Sequence, residues 1–428
     1  MSHELIKTVE PWIKGTPQNW GRFRIKDIAL FSPGFSDSPP GPTDQCVVIP
    51  MEAISAKGDI DTTLVKESQD IQQGLTNFEK GDVLFAKITP CMENGKGAFV
   101  EALPTRYGFG STEFHVLRPG LRVDGKFLYY FTFNSVYRDY ASENMTGAAG
   151  QKRVSAKFLA YTSIFLPAVK EQRRVAAYLD KACAAIDGAI RAKRRQLEVL
   201  DDLRKSIIHK AVTRGLDEDV ELTESGIQWV EKKPLHWRTC RIKEVCDFFN
   251  TVRVPLSAEE RGQMNEKVFD YYGASGVIDK VEGYLFDGTY ILIAEDGANL
   301  LRRSSPLAFI ASGKFWVNNH AHILRPRFGD LEYFVHLLES LDYSLYVTGS
   351  AQPKLTKENL EMFKIIVPPS INEQKQISAF LRDKNEEIQA LKNNLGGQIS
   401  ALEQYRKSLI HECVTGKRRI EEADLAVV

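Results

Sequence analysis

The chain has few of the features that announce chemistry or a membrane. Its 428 residues hold six cysteines (Cys46, Cys91, Cys183, Cys240, Cys246 and Cys413) with no CxxC pair and no regular framework. Reduced thiols in a cytoplasmic protein are the expectation. No run of 18 apolar residues is present, so no membrane span is expected. The opening MSHELIKTVEPW lacks the apolar stretch of a signal peptide. Neither charge sign dominates, with 56 Lys and Arg against 56 Asp and Glu, so no globally basic domain exists to hold a polyanion. Cofactor motifs are missing as well. Gly95-Lys96 is followed by Gly97 and Gly313-Lys314 by Phe315, so neither fits the GxxxxGK[ST] phosphate loop. No GxGxxG occurs, and Ser38-Pro39-Pro40-Gly41 lacks the polar and aromatic members that an amino-methyltransferase uses on a flipped base. The sequence reads as that of a protein that does no chemistry itself.

What the chain does have is a stretch used twice. Glu171 to Gly215 aligns without a gap on Glu373 to Lys417 at an offset of 202, with 14 identities in 45 positions. A repeat spaced by half the chain signals a duplicated two-module protein, not a solenoid. Both copies place apolar residues at three- and four-residue steps between charged flanks, the pattern of a helix made for another helix. The first seam runs through Ile186, Ile190, Leu197, Leu200, Leu203, Ile207 and Ala211, the second through Ile388, Leu391, Leu395, Ile399, Leu402, Tyr405 and Leu409. At 1.5 Å per residue each helix is a rod of roughly 60 Å, too long and too polar to bury its seam alone. Gly215 and Gly416 supply stop signals, and Gly396-Gly397 should weaken or bend the second helix. Residues 171–215 carry a net charge of +5 and 373–419 of +3, so the rest of the chain sums to −8.

The duplication reaches beyond the helices. Pro17–Ile28 (PQNWGRFRIKDI) parallels Pro234–Val245 (PLHWRTCRIKEV), and Pro11-Trp12-Ile13 parallels Gln228-Trp229-Val230. Pro167 and Pro368-Pro369 close a preceding strand and set the entry to each helix. The expected order is a first module (1–168), a long helix (169–215), a second module (216–370), a second long helix (371–416) and an acidic tail (417–428). Inside the modules, CVVIP (46–50), DVLFAKI (82–88), GAFVEAL (97–103) and EFHVLRP (113–119) read as strands, followed by a helix over 125–145. The second module offers 267–278, 289–297 and 307–326, then a helix over 331–347. The fold class is α+β: two similar modules separated by two long helices. The frames agree and the middles differ, which suggests two readers of two targets.

Base edges are read by Asn and Gln at adenine, Arg and Lys at guanine, and by small hydroxyls. Such groups sit beside glycines in the first module as Lys87, Thr89, Asn94, Lys96, Thr112, Gln151, Lys152 and Arg153. In the second module they are Asn299, Arg302, Arg303, Lys314, Asn318, Asn319, His320, Gln352 and Lys354. Glycine lets a backbone approach a partner closely, although polar residues also gather in loops merely because loops are solvated. His320 and His322 alternate on one strand without a third ligand, so a polar or structural pair is favoured over a metal site.

The frame Ser225-Gly226-Ile227-Gln228-Trp229 through Pro234 and Trp237, the runs at 81–97, ILIAEDG and GKFWVNNHAHILRP, the Pro-then-Glu-Gln entries and the two RKS[IL]IH endings carry a resemblance. The chain resembles the DNA-specificity subunit of a type I restriction-modification system over essentially its whole length. That resemblance implies two target-recognition domains, each reading half of a split double-stranded DNA sequence. It implies antiparallel pairing of the helices about an internal pseudo-twofold, with the pair acting as a ruler. It further implies docking of two modification subunits and of restriction subunits. S-adenosylmethionine, ATP and Mg are then expected on those partners, with no cofactor on this chain and no membrane contact. Roughly 45–50 Å for a split site of 13–15 base pairs is commensurate with the helices. Gly396-Gly397 and the missing Ser-Gly-Ile lead in the first copy depart from the pattern. A coiled-coil adaptor whose modules bind proteins is the alternative.

Overall fold

A computed structural model describes residues 10–12, 15–148, 150–349 and 353–427. Each module is followed by a long helix, Val169–Arg214 and Ile371–Val414. The second helix runs unbroken through Gly396 and Gly397. The chain divides into two compact units inside these helices: one holds everything up to Arg194 together with Gly397 onward, the other Arg195–Gly396.

In each unit, segments of the two helices pair antiparallel. The first unit joins Arg194 to Glu403 at 3.1 Å and Asp187 to Arg406 at 3.4 Å. The second joins Asp201 to Lys392 at 2.7 Å and Arg204 to Asn385 at 2.8 Å. Of the expected seam residues, Ile186, Ile190, Ile388 and Leu409 are buried, while Ile399 and Leu402 pack at the edge of the first unit's core. Leu197, Leu200, Ile207 and Leu395 are half-buried, and Ile208 takes the buried place expected of Ile207. Leu203, Leu391 and Tyr405 are not in the seam: they stay 47%, 53% and 49% exposed. Steps of three and four residues do not track a helix of 3.6 residues per turn indefinitely, so a stripe extrapolated along its length rotates out. Burial concentrates near the helix ends, where Val175, Ala176, Leu179, Ala182 and Cys183, and likewise the expected Ala211 with Val212, join the module cores.

The shared frame has one construction in both units. A strand pair closes each module, Gly21–Arg24 against Ser163–Leu166 and Arg238–Arg241 against Lys364–Val367. A tryptophan indole donates onto it in each: Trp12 to the Ser163 carbonyl at 2.9 Å, Trp229 to that of Lys364 at 3.2 Å. The Glu-Gln signature acquires a physical reason. Gln172 and Gln374 are fully buried at the start of the long helices. Gln172 Oε1 accepts from Asp124 N at 2.8 Å, and its Nε2 donates to the carbonyls of Pro167 and Arg122. Gln374 Oε1 accepts from Asp330 N at 2.8 Å and its Nε2 donates to Pro368 O at 2.9 Å. Asp124 and Asp330 are in turn the N-caps of Gly125–Phe133 and Leu331–Ser340. One amide thus pins a strand end, a helix cap and a long helix, satisfying backbone groups that burial would otherwise leave unpaired.

The opposite helix ends are equally specific. Gly215 and Gly416 take φ of +77° and +74°, the left-handed cap geometry. A Cβ on Gly215 would lie 3.3 Å from the Trp237 ring, and one on Gly416 would lie 2.4 Å from Pro17. The tail does not hang free: Ile420 is buried in the first unit's core, and Leu425 O accepts from Lys181 Nζ at 2.7 Å.

Within the modules, strands are buried on both faces, with alternate residues feeding two cores. Val83 and Phe85 face the core shared with the helices, while Leu84 and Ala86 face a second core. Ile291 and Ile293, against Leu292, repeat the division. The second module is a six-stranded sheet in the order 246–248, 321–326, 286–294, 308–317, 269–273, 276–281. The first module repeats its beginning as 29–31, 114–119, 83–86, 97–99, and places 65–67, 45–49, 107–110 and 76–78 in a separate four-stranded sheet. The helix expected over 125–145 is two, Gly125–Phe133 and Ser135–Glu143. Asn134 lies between them with extended backbone, and its Oδ1 accepts from Val136 N at 3.1 Å to start the second.

Candidate nucleic-acid interface

In each module one end of the sheet gathers polar side chains because a returning segment is laid across it. In the first module the strand Val83–Ala86 runs out through Lys87 into a turn over Thr89–Lys96. The turn is closed by Met92 N to Ile88 O and Asn94 N to Pro90 O, each at 2.9 Å, with Gly95 at φ +84°. The segment 146–154 comes back beside it: Thr89 N donates to Lys152 O at 3.0 Å, and Val154 N to Lys87 O at 2.8 Å. Lys87 N also donates to Glu113 O at 2.9 Å, which brings the 111–113 turn to the same place. Lys87, Thr89, Thr112, Lys152 and Arg153 therefore share one end of the sheet, although they come from three separate stretches.

Their freedom differs. Asn94, Thr112, Gln151 and Lys152 are exposed. The Arg153 guanidinium binds Glu113 with Nη2 to Oε1 at 2.7 Å, and that hydrogen bond holds the Glu113 carboxyl below its ordinary range. Lys96 Nζ is directed inward onto Met51 O at 2.8 Å. A cleft of about 320 Å³ opens beside Lys87, lined by Ser32, Thr76, Asn77 and His115. Beneath the turn lies a residue that sequence reasoning missed. Arg138 is buried between Phe85 and Phe133 and donates to the carbonyls of Thr132, Met92 and Lys96. Burial pushes its guanidinium down to about 10. Nothing in a helical ‑Tyr-Arg-Asp‑ triplet marks such a role.

In the second module the strand Phe286–Ala294 ends in Glu295-Asp296. Leu355 N donates to Glu295 O at 2.8 Å, Gly297 N to Pro353 O at 3.0 Å, and Glu295 N to His320 O at 2.9 Å. Burial alone would raise the Glu295 carboxyl, but the hydrogen bond from Arg253, the neighbouring His322 and the Arg253 charge, with a smaller part from Lys354, outweigh it and hold the group below its ordinary range. His320 Nδ1 lies 2.8 Å from Asp296, and Asn318 is buried, its Oδ1 accepting from His320 N. Asn319, His320 and Lys354 are thus brought together, while Asn318 serves the turn beneath them.

The remaining candidates stand elsewhere. Asn299 closes its own loop on Ser305, and Arg303, with φ +53°, donates to Glu339 O and packs on Tyr343. Arg302 is exposed. Lys314 is opposite Asp287 in the hairpin, 4.7 Å from the Tyr284 ring centre. Gln352 lies outside the described residues. The two imidazoles weighed for a metal have other partners: His320 has Asp296, and His322 has Asn250 and the Leu355 carbonyl. Among the described residues no group of three or more His, Cys, Asp or Glu side chains is placed to hold a metal ion. No described helix is long and apolar enough to cross a membrane.

The duplication is also what the family comparison finds. Residues 17–198 and 234–399 match the family described as type I restriction modification DNA specificity domain, once per module. The chain belongs to that family. It is 35% identical over 161 residues to the type I restriction enzyme EcoAI specificity subunit of Escherichia coli, covering 37% of this chain and 27% of that protein. Against a putative specificity subunit of Haemophilus influenzae, S.HindORF215P, it is 33% identical over 141 residues, 33% of this chain and 35% of that one. These alignments span only about a quarter to a third of the relatives' own lengths. The putative MjaX specificity subunit of Methanocaldococcus jannaschii is 22% identical over 433 residues, 95% of both chains. Among solved structures, one from work on complex assembly and conformational transition of the type I R-M system gives a TM-score of 0.75 at 18% identity, covering 94% of this chain and 99% of that one. The crystal structure of the HsdS subunit from Thermoanaerobacter tengcongensis gives 0.56 at 18%, covering 94% and 98%. At that identity the likeness concerns the fold: paired specificity domains joined through long helices.

Proposed function

We infer that this chain is the sequence-reading subunit of a type I restriction-modification complex. Each module reads one half of a bipartite double-stranded DNA target, and the long helices set the unread distance between the halves and dock two modification subunits. The observation that carries the reading is the pairing of a repeated frame with unlike polar ends. Gln172 and Gln374, Trp12 and Trp229, and the closing strand pairs are built alike, whereas the turns at 87–96 and 295–303 share almost nothing. Selection that keeps the support and varies the tip is selection on what the tip reads.

The chemistry belongs to partners in this reading. The chain is non-catalytic and binds no cofactor; S-adenosylmethionine sits on the modification subunits, and ATP and Mg serve the restriction subunits. The assembly works in the cytoplasm. Phosphate contacts from Lys87, Lys152 and Lys354 would position the modules, and Asn94, Thr112, Gln151, Asn319 and His320 would address bases.

Methylome sequencing of a host carrying the chain with its partners, against a deletion strain, tests the reading. The expected result is one adenine-methylated motif with two fixed halves and an unread centre; no motif lost on deletion would overturn it. Inserting one heptad into both long helices adds about 10 Å. The unread centre should then grow by about three base pairs at 3.4 Å each while the fixed bases stay. Affinity for duplex should also fall steeply with added salt.

A further inference from the structure

We propose that His115 and His322 are positioning residues that hold the base-reading ends of the two modules in place, one for each half of the DNA target. The proposal rests on the function inferred above and concerns residues that neither the repeated frame nor the exposed tips contain.

The two histidines occupy equivalent places in otherwise divergent middles. His115 stands opposite Phe85 and His322 opposite Ile293, each on the strand that neighbours the one running out to the tip. Two residues beyond those partners, Lys87 and Glu295 accept the amides of Val154 and Leu355, both at 2.8 Å. The imidazole Nε2 of His115 then lies 2.8 Å from Val154 O, and that of His322 lies 2.8 Å from Leu355 O. One residue of the returning segment is therefore gripped twice, its N–H by the strand end and its carbonyl by a ring. The residues just before it are Gln151-Lys152-Arg153 in one module and Pro353-Lys354 in the other. Just after it, Ser155 and Thr356 cap the short helices Ala156–Tyr161 and Lys357–Met362. The grip fixes the point from which each tip projects.

Imidazole suits the task. A buried carbonyl needs a donor that reaches across from the neighbouring strand without carrying a charge inside, and a neutral ring does both. His322 is fully buried and His115 is 9% exposed. In the second module the proton's place follows from the bonds. Ile323 N donates to Asn250 Oδ1 at 3.1 Å, which turns the Asn250 amino group onto His322 Nδ1 at 2.8 Å. Nδ1 is then an acceptor, so Nε2 carries the hydrogen that goes to Leu355 O. Burial pushes both histidines down; the charged groups facing them are Lys87 and Glu113 for the first, Glu295, Arg253 and Lys354 for the second. At the position matching Asn250 the first module has Pro33, so its latch lacks this second bond.

The test uses the full-length chain, alone for hydrogen exchange and with its modification subunits for methylation. His115→Leu should speed exchange of the Val154 amide about tenfold and leave that of Leu355 unchanged; His322→Leu should do the reverse. In a host, His115→Leu should relax the fixed bases in one half of the methylated motif and His322→Leu those in the other half. His115→Gln and His322→Gln, whose amides place a donor near Nε2, should restore both readouts. Unchanged exchange at the latched amide, or both halves relaxing together in each single variant, would overturn the proposal. A loosened latch with both halves still read strictly would also overturn it while leaving the inferred function intact. An undivided motif for the parent chain would instead sink the function.

Discussion

The two modules use the same strand order and differ in how the central hairpin is carried through. In the second it is continuous, nine residues (286–294) against ten (308–317), and it belongs to one six-stranded sheet. In the first it is broken at 79–82 and again at 100–106, and the same strands divide between two four-stranded sheets. The break has a local cause. Buried Asp82 accepts from Arg118 Nε and Nη2, each at 2.8 Å, and from the amide of Glu79 at 2.8 Å, and Gly81 turns at φ +93°. An aspartate caps the chain where the other module has a ladder position. The packing adjusts at matching points: Phe286 stacks on Phe315 with centroids 5.4 Å apart, whereas Phe78 faces Gly108, whose absent Cβ leaves room for that ring. Order and register are thus kept by the frame, and the route between frame points is free to vary. That is how one fold presents two unlike surfaces.

Breaking the comparison starts with the largest difference. Arg138 has no counterpart described in the second unit, and Arg138→Leu strands three buried carbonyls; it should cost about 3–5 kcal/mol in the first unit only. Calorimetry should show one transition falling and the transition of Arg195–Gly396 unmoved. The shared frame predicts equality instead. Gln172→Leu and Gln374→Leu each unpair a buried cap amide and a proline carbonyl, and should cost about 2–3 kcal/mol apiece. Unequal losses in denaturant titrations would show that the two frames are alike in geometry alone. Gly108→Ala puts a methyl group 2.3 Å from the Phe78 ring and should cost about 1–2 kcal/mol. Pairing it with Phe78→Leu should recover part of that loss.

Acid gives the gentlest contrast. Burial lowers His115 and His411 in the first unit and His209, His322 and His336 in the second below the ordinary value of 6.5. A histidine held neutral when folded takes a proton more readily when unfolded. Its stability contribution is complete above the unfolded value and is lost as pH falls below it. Between pH 6.5 and about 5, before carboxylates titrate, melting of the second unit should therefore drop more than that of the first. Replacing His336 with Leu should narrow the gap.

Sequence reasoning found the frame because repetition filters noise: Glu-Gln, the tryptophans and the prolines recur at fixed offsets. It could not say what Gln172 does, since a buried amide that ties three elements looks no different from a solvated one. The strands came through where apolar residues run together, as in 83–86 and 114–119. Thr76–Phe78 did not, being only three residues long, nor did the glycine-rich Tyr107–Gly110. Of the site, proximity on a loop was legible and commitment was not. Lys96, Asn299, Asn318 and Arg303 have donors and acceptors suited to bases, and their own fold engages them. Leu203, Leu391 and Tyr405 fit the helical spacing and are half in solvent, because a stripe of three- and four-residue steps drifts around a helix of 3.6 residues per turn.

The first unit's core holds Trp12 and Trp20 from one end of the chain and Leu409, Cys413, Val414 and Ile420 from the other. The second unit is a single uninterrupted stretch, Arg195–Gly396. During synthesis Arg195–Gly396 can close as soon as it is made, while the half that emerges first must wait, unsealed, until Leu409 to Ile420 have followed. A chain stopped near Gly396 would carry a finished second half and a first half that never shuts.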